Sequence, residues 1–190
     1  IVLAAVPSTA LGERRERLID GWRPVHSDIS LAFNDSLSEL TSVKTDVTVT
    51  VLKKDIVMID LDFGKMPVKS VLVDGSVARF AQHDDKLDVY LAGPATVGQN
   101  IKISVEYSGK PLDGLILVKD ADGLPSAIGD NWPDRVHNWI RCFDHPSAKA
   151  SVRFTVTASS RNSVVANGKL ESRRENSDAT TTWVWSEKNL

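Results

Sequence analysis

The sequence predicts an all-β fold, either a sandwich or an assembly of curved antiparallel sheets with one long loop. Three observations favour it: apolar and polar residues alternate with a period of two, β-branched residues fill the alternating runs, and turn signals separate them. Only one short stretch, Leu11–Asp20, has a helical pattern. Many short strands joined by turns are typical of sandwiches and curved sheets.

Five segments carry the strand pattern, each with its apolar side chains on one face. In chain order they are Asp46–Val51, Leu87–Leu91, Ile101–Tyr107, Val152–Val156 and Thr181–Trp185. Asp74-Gly75 and Asn167-Gly168 are predicted two-residue hairpin turns, because these residue pairs tolerate a positive φ. Residues 109–114 read as a longer loop.

Composition indicates an ordinary folded chain. Its 190 residues suit one domain with a sizeable core, and a hydrophobic content of 42% excludes disorder. The net charge of −2 gives no reason to expect a nucleic-acid partner. A single cysteine, Cys142, excludes an internal disulfide framework, and no apolar run is long enough to span a membrane.

The first ten residues, Ile1–Ala10, are apolar and then rich in small residues. This pattern fits the end of a secretory signal, which predicts an exported protein, or equally a strand or leader segment. Because the first residue is not Met, we expect a fragment or a processed chain. We therefore expect a leader or linker over residues 1–25 and a β domain over residues 26–190.

One region, residues 121–147, breaks the alternation and is rich in Gly, Pro and Trp. A loop of this length in a compact domain usually has a function. Four of its residues suggest chemistry: His137, Cys142, Asp144 and His145. These side chains could form a metal site only if they converge in the fold. Cys142 could act as a nucleophile only if a histidine lies beside it as the base. The alternative is a structural loop with Cys142 as a small core residue.

Other candidates have simple structural interpretations. Residues 120–123 resemble part of a calcium loop but lack its remaining ligands, so we expect a surface turn. Asp60 and Asp62 alternate with apolar residues, and we expect both to face solvent. Four tryptophans suit either a sugar-binding platform or the core: Trp132, Trp139, Trp183 and Trp185. The sequence contains no HExxH zinc motif.

A cluster of motifs resembles a known family. Its first part comprises Cys142, Asp144, Pro146, Lys149 and Ala150. The sequences Phe-Thr-Val-Thr at 154–157 and Val-Val-Ala-Asn-Gly at 164–168 follow in the same order. Over about residues 26–185 the chain is similar to the N-terminal domain of gluzincin zinc aminopeptidases, the relatives of aminopeptidase N and leukotriene hydrolase.

The resemblance implies a saddle-like, non-catalytic domain that leans on a thermolysin-like catalytic domain and walls its cleft. Zinc belongs to that absent domain, and this fragment needs no cofactor. The parent protein would hydrolyse peptides with a zinc-activated water, so its partners would be its own catalytic domain and a peptide substrate. The alternative functions are a stand-alone β-sandwich module that binds sugar or protein, and a small hydrolase using the cysteine and histidine noted above.

The resemblance also suggests a substrate-contact loop. The family's Gln-x-Glu positions fall on Asp130 and Trp132, with Asn131 between them. Asp130 would supply a negative charge for the substrate's amino terminus. The structural alternative is a loop that packs Trp132 on the sheet.

The remaining motif residues are expected to be structural. Cys142, Asp144 and Pro146 would shape the loop, with Asp144 accepting backbone N–H bonds. The chain departs from the family at His137, where an arginine is usual, and at Arg141, where a proline is usual. If a further strand normally follows Trp185, this fragment exposes a sheet edge and we expect it to dimerise through that edge.

Overall fold

The computed structural model describes residues 20–188, which form thirteen strands and one short 3-10 helix. The strands are β1 (Trp22–Phe33), β2 (Leu40–Val51), β3 (Ile56–Asp62), β4 (Val68–Val73), β5 (Ser76–Val77), β6 (Phe80–His83), β7 (Lys86–Ala95), β8 (Asn100–Gly109), β9 (Leu115–Lys119), β10 (Pro125–Gly129), β11 (Ser151–Ser159), β12 (Lys169–Glu175) and β13 (Thr180–Glu187). The helix is Val136–Asn138. The all-β prediction is confirmed.

The predicted leader and short helix before Asp20 lie outside the described residues. Strand β1 already begins at Trp22, so β structure starts before residue 26, where the domain was expected to begin. Within residues 20–188, no helix is long and apolar enough to cross a membrane.

Eight strands form the largest sheet, in the order β12-β13-β11-β1-β2-β8-β4-β5. Neighbouring strands run antiparallel except β1 and β11, which are parallel with His26 opposite Ser151. Two smaller sheets have the orders β3-β7-β6 and β9-β10. The loop predicted over residues 121–147 is wrong at its start, because Pro125–Gly129 form β10 and pair with β9. The long loop of the structure, residues 130–150, joins the smallest sheet to the largest.

The core lies between the largest sheet and the three-stranded sheet. The predicted alternation of β2 and β8 is confirmed, because Val47 pairs with Ile103 and both side chains are buried. Ile59 and Leu61 of β3 are also fully buried. One polar residue inside, Thr45, is satisfied because its hydroxyl lies 3.0 Å from that of Tyr107.

The two predicted hairpin turns have different outcomes. Asp74-Gly75 does join β4 to β5, with positive φ at both residues. The hairpin at Asn167-Gly168 is wrong, because residues 160–168 are not a strand and β12 pairs with the following strand, β13. Gly168 is needed there for close approach: an added Cβ would lie 2.1 Å from the carbonyl oxygen of Ser186.

The strand that contains Trp185 is not a sheet edge, because β13 pairs with β11 on one side and β12 on the other. The sheet does have an exposed edge at this end, but the prediction that the strand of Trp185 forms it is wrong. The edge strand at this end is β12, and all seven of its residues are exposed. Its charged side chains oppose pairing with another chain: Lys169, Glu171, Arg173, Arg174 and Glu175.

We predict that Ile59→Ala lowers the free energy of unfolding by about 2–5 kcal/mol, because it opens a cavity under β3. Val57→Ala is the control, since Val57 lies on the same strand but is 52% exposed. We expect Val57→Ala to change stability by about 0.5 kcal/mol or less. Urea unfolding of both variants measures the difference, and equal losses would contradict this assignment of the inner face.

Candidate functional site

The first half of the long loop is closed by Arg135. Its Nη2 lies 2.6 Å from Oδ2 of Asp130, its Nη1 lies 3.3 Å from Oδ1 of Asp113, and its Nε donates to the carbonyl of Trp132 at 2.7 Å. The hydrogen bond to Asp130 is the main cause of the raised pKa of Arg135. Three bonds from one side chain thus fix residues 130–135 as a compact loop beside β9.

Two tryptophans of the loop have opposite environments. Trp139 is buried, its Nε1 donates to Oδ1 of Asn131 at 2.9 Å, and its carbonyl accepts from the Tyr107 hydroxyl at 2.9 Å. Trp132 is 80% exposed. The structural alternative in which Trp132 packs on the sheet is therefore wrong, because its side chain is exposed.

The second half of the loop is held by two carboxylates. Oδ2 of Asp144 accepts from the backbone N–H of His137 at 3.1 Å and lies 2.8 Å from its Nδ1. The N–H of Asp144 donates in turn to Oδ2 of Asp62 at 2.9 Å. Asp62 also bonds the ammonium group of Lys86 and forms a backbone bridge with Cys142. Asp144 is thus bonded as a structural loop residue would be.

The expectation that Asp62 faces solvent is wrong. The residue is only 8% exposed, whereas its neighbour at position 60 is half-buried and accepts a bond from Nε1 of Trp22 at 3.3 Å. Asp62 ends β3, and the loop covers that end of the strand. The alternation of buried and exposed residues along β3 therefore no longer holds at Asp62, where the loop crosses the end of the strand.

The geometry does not support a hydrolase based on Cys142. Burial, with the nearby charges of Asp144 and Asp62, raises the pKa of the Cys142 thiol well above its usual value. Such a thiol is not a thiolate at neutral pH and is a poor nucleophile. His137 points its Nδ1 at Asp144 instead, and His145 bonds Ser147 at 2.7 Å.

Metal binding finds no support either. Among residues 20–188, no three His, Cys, Asp or Glu side chains are grouped to hold a metal ion. Asp120 uses its carboxylate within its own turn, accepting from the N–H groups of Asp122 and Leu124 at 3.0 and 2.8 Å. Pro146 is exposed and lies between the residues of the His145–Ser147 turn.

A sugar-binding platform of four tryptophans is also wrong. Trp183 is buried, as is Trp139, and Trp185 is partly buried, so only Trp132 is exposed among the four. Trp183 packs in a small second cluster with Leu37 and Ala158.

The β9–β10 hairpin, which precedes the exposed tryptophan in the chain, has an apolar outer face. Ile116 of β9 and Ile128 of β10 are direct cross-strand partners, and both side chains are exposed. Val118 is 42% exposed on the same strand as Ile116. The other face of this hairpin packs on the core through Leu115. We call Ile116, Val118, Ile128 and Trp132 the outer hairpin face. Contiguous exposed apolar side chains of this kind are typical of interaction surfaces.

The chain is similar to one protein family in sequence and to its solved structures in fold. A family model described as the Peptidase M1 N-terminal domain matches residues 23–190. No curated protein matches the chain. An M1 zinc metallopeptidase from Deinococcus radiodurans superposes with a TM-score of 0.74 and 24% identity, over 87% of this chain and 39% of that one.

Two further structures of mutants of that metallopeptidase agree. One has a TM-score of 0.75 and 24% identity over 88% of this chain and 39% of that one. The other, bound to a Tyr-Ser-Ala substrate, has a TM-score of 0.72 and 23% identity over 87% of this chain and 39% of that one. The chain thus spans less than half the length of these structures, and the likeness shows a shared fold.

We predict that Gly114→Ala destabilises the protein by about 2–4 kcal/mol. Gly114 has a φ of +76°, and an added Cβ would lie 2.2 Å from the carbonyl oxygen of Arg135 and 2.9 Å from Cδ1 of Trp139. Gly123→Ala is the matched control, because its φ is +79° with no atom within 4 Å of an added Cβ. The control should lose only the conformational cost of about 1 kcal/mol. Thermal unfolding compares them, and equal losses would argue against close packing of the loop on Gly114.

We predict a pH-dependent contribution to stability from His137. Its hydrogen bond to Asp144 is the main cause of its raised pKa. A group whose folded pKa is raised stabilises the fold fully below its unfolded pKa, about 6.5, and loses this effect as the pH rises through the folded pKa. The stability difference between wild type and His137→Gln should therefore shrink as the pH rises from 5.5 to 8.5 in urea unfolding.

The control for that experiment is Asp144→Asn, which removes the charge responsible for the shift. In this background His137→Gln should show a much weaker pH dependence. A wild-type difference that is flat with pH would show that the bond to Asp144 does not perturb the histidine.

Proposed function

Since the chain belongs to the Peptidase M1 N-terminal domain family, we propose that it is the non-catalytic β domain of a zinc aminopeptidase-like parent protein. In this role it walls the active-site cleft of a catalytic domain and presents a loop to the substrate. The family match over residues 23–190 is the observation that carries the proposal. The likeness in fold to M1 zinc metallopeptidases supports it.

Zinc does not fit the residues that the structure describes. His137 and Asp144 are close to each other, but the described part of the chain supplies no third ligand beside them. The catalytic domain of the parent would therefore hold the peptidase metal. The residues of this domain would bind the substrate without taking part in the zinc chemistry.

The outer hairpin face is the surface we assign to the catalytic domain. Trp132 is its most exposed member, and Arg135 holds the loop that presents it. A large aromatic side chain on a rigid loop loses little conformational freedom on docking, so it suits the centre of an interface. The neighbouring apolar pair, Ile116 and Ile128, extends this surface.

Asp130 is the residue we assign to the substrate's amino terminus. Its Oδ2 is bonded to Arg135, whereas its Oδ1 has no partner among residues 20–188. A substrate ammonium would bind at Oδ1 and share the carboxylate with the guanidinium. Asn131 has its Oδ1 engaged by Trp139, which leaves its amide N–H groups as the donors of this loop.

Export is a further proposal. Export rests on the signal-like residues 1–10, which lie outside the described part of the chain. Dimerisation through a sheet edge would have to use β12, and its charged side chains oppose it. We therefore expect the parent protein to use the outer hairpin face, not β12, for its main contact.

We predict that Trp132→Ala in the full-length parent lowers kcat/KM for aminoacyl substrates about tenfold or more, as expected for loss of an interface anchor. Val77→Ala is the control, because Val77 is 89% exposed and lies on β5, the end strand of the largest sheet farthest from β12. The assay is run with and without a zinc chelator. Chelator-sensitive cleavage that Trp132→Ala leaves unchanged would contradict the docking role, and no cleavage at all would favour a stand-alone module binding sugar or protein.

We predict that Asp130→Asn raises KM for peptides with a free amino terminus but not for N-acetylated ones. The reason is that only the free ammonium gains from the carboxylate charge. Arg135→Gln distinguishes the effect of the Asp130 charge from that of the loop conformation. This variant keeps the Asp130 carboxylate but removes the Arg135 bonds that hold the loop. Equal losses on both substrate classes in Asp130→Asn would show that Asp130 only supports the loop.

A further inference from the structure

A partly open groove of about 750 Å³ lies between the long loop and strands β1, β10 and β11. Its volume is in the range of ligand-binding pockets, roughly 300–1,000 Å³. Strands β1 and β11 line it with apolar side chains: Leu31, Phe33, Val152, Phe154 and Val156. Phe33, Val152 and Phe154 are only partly buried, so an apolar ligand would remove more of their surface from water.

Strand β10 has a free edge along this groove. Among residues 20–188 it pairs with β9 alone, so the backbone N–H and C=O groups of its other edge have no strand partner. Four of its five residues line the groove: Pro125, Ser126, Ala127 and Gly129. An open strand edge can accept an extended peptide as an additional strand. At about 3.4 Å per residue this edge is about 17 Å long, which matches about five peptide residues.

The polar side chains of the groove suit a peptide better than a hydrocarbon ligand. They are uncharged amides and hydroxyls: Ser126, Asn131, Asn162, Ser163 and Asn167. Oδ1 of Asn131 is engaged by Trp139, and its Nδ2 stays available as a donor to a peptide carbonyl. A lipid chain would bury these groups unpaired, which is unfavourable, whereas a peptide backbone offers them donors and acceptors.

One end of the groove carries a negative charge. Asp130 follows β10 directly, and its chain neighbours Gly129 and Asn131 both line the groove. The carboxylate thus stands where β10 ends. A peptide whose ammonium group binds there and whose backbone pairs with β10 would run antiparallel to that strand.

We propose that the groove binds the peptide substrate of the parent protein as an added strand, antiparallel to β10, with its amino terminus at Asp130. Every second side chain of an extended peptide points to the same face, so alternate residues lie in the groove. This inference rests on the proposed function and deepens it by naming the substrate class. The substrates are peptides of about five or more residues with apolar side chains at alternate positions.

Cleavage kinetics of the full-length parent on hexapeptides test the proposal. The host peptide is Ala followed by five Ser residues, and a single Leu replaces each Ser in turn. We expect Leu to lower KM about tenfold or more at alternate positions, as burial of its side chain predicts, and to leave KM unchanged at the positions between them. A KM unaffected by Leu at every position, or lowered equally at all of them, would overturn the groove. Cleavage of an aminoacyl anilide, too short to reach along β10, tests the proposed function separately.

Ala127→Phe connects this preference to the groove, because the larger side chain would fill the groove beside β10. The ratio of KM for the all-Ser peptide to KM for the best Leu peptide should fall from about ten to about one. Val77→Phe is the control, since Val77 is 89% exposed on β5, and it should keep the wild-type ratio. An unchanged ratio in Ala127→Phe would overturn the proposal.

A second measurement does not depend on activity. Hydrogen exchange of the β10 amides is followed in the 190-residue chain and in the parent, with a zinc chelator present to prevent cleavage. Of the two alternating peptides Ala-Leu-Ser-Leu-Ser-Leu and Ala-Ser-Leu-Ser-Leu-Ser, we expect one to slow this exchange in both proteins, and the all-Ser peptide to have no effect. Exchange unchanged by either alternating peptide would overturn the proposal. So would protection in the 190-residue chain but not in the parent, which would show that the catalytic domain fills the groove.

Discussion

Asp62 is the buried carboxylate on which the position of the long loop depends. It ends β3, bonds Lys86 of β7, and accepts the backbone N–H of Asp144. Its own backbone pairs with that of Cys142. Residues 130–150 have no sheet ladder of their own, so their buried backbone groups need other partners, and Asp62 supplies them where the loop crosses the small sheet. The ion pair with Lys86 compensates the cost of burying this charge.

The loop's function follows from this anchoring. With its second half held by Asp62 and Asp144, its first half needs only the Arg135 clamp to become a defined surface. The result is an exposed Trp132 beside the apolar β9–β10 hairpin. A surface that is fixed before it meets its partner loses little conformational entropy on binding, which suits a domain that borders a cleft.

The strands that could be predicted from the sequence are those in which buried and exposed residues alternate along the strand itself. Alternation in β2 and β8 is a direct consequence of having one buried face, and the structure confirms it. Strand β12 has no such pattern, because all its residues are exposed at the sheet edge, and no sequence signal identified it. The parallel pairing of β1 with β11 joins residues more than a hundred positions apart, which periodicity does not encode. The family motif gave the domain type because it compares whole ordered segments.

The loop contacts could be predicted only in part. An aspartate accepting backbone bonds is a common loop device, so the bonding of Asp144 could be anticipated. The clamp by Arg135 could not, because contacts within an irregular loop have no fixed spacing. The sequence singled out Arg141 only as a departure from a family motif. Neither its complete burial nor its stacking on the rings of Phe63 and Tyr107 could be predicted from the residues adjacent to it in the chain.

Hydroxyl-radical oxidation of Trp132, followed by mass spectrometry, in the 190-residue chain and in the full-length parent tests the docking role of the outer hairpin face most directly. Trp183, buried in the core, gives the baseline in each sample. We expect rapid oxidation of Trp132 in the chain and strong protection in the parent, where the catalytic domain would cover the outer hairpin face. Equal oxidation of Trp132 in both would contradict the assignment of this face as the docking surface.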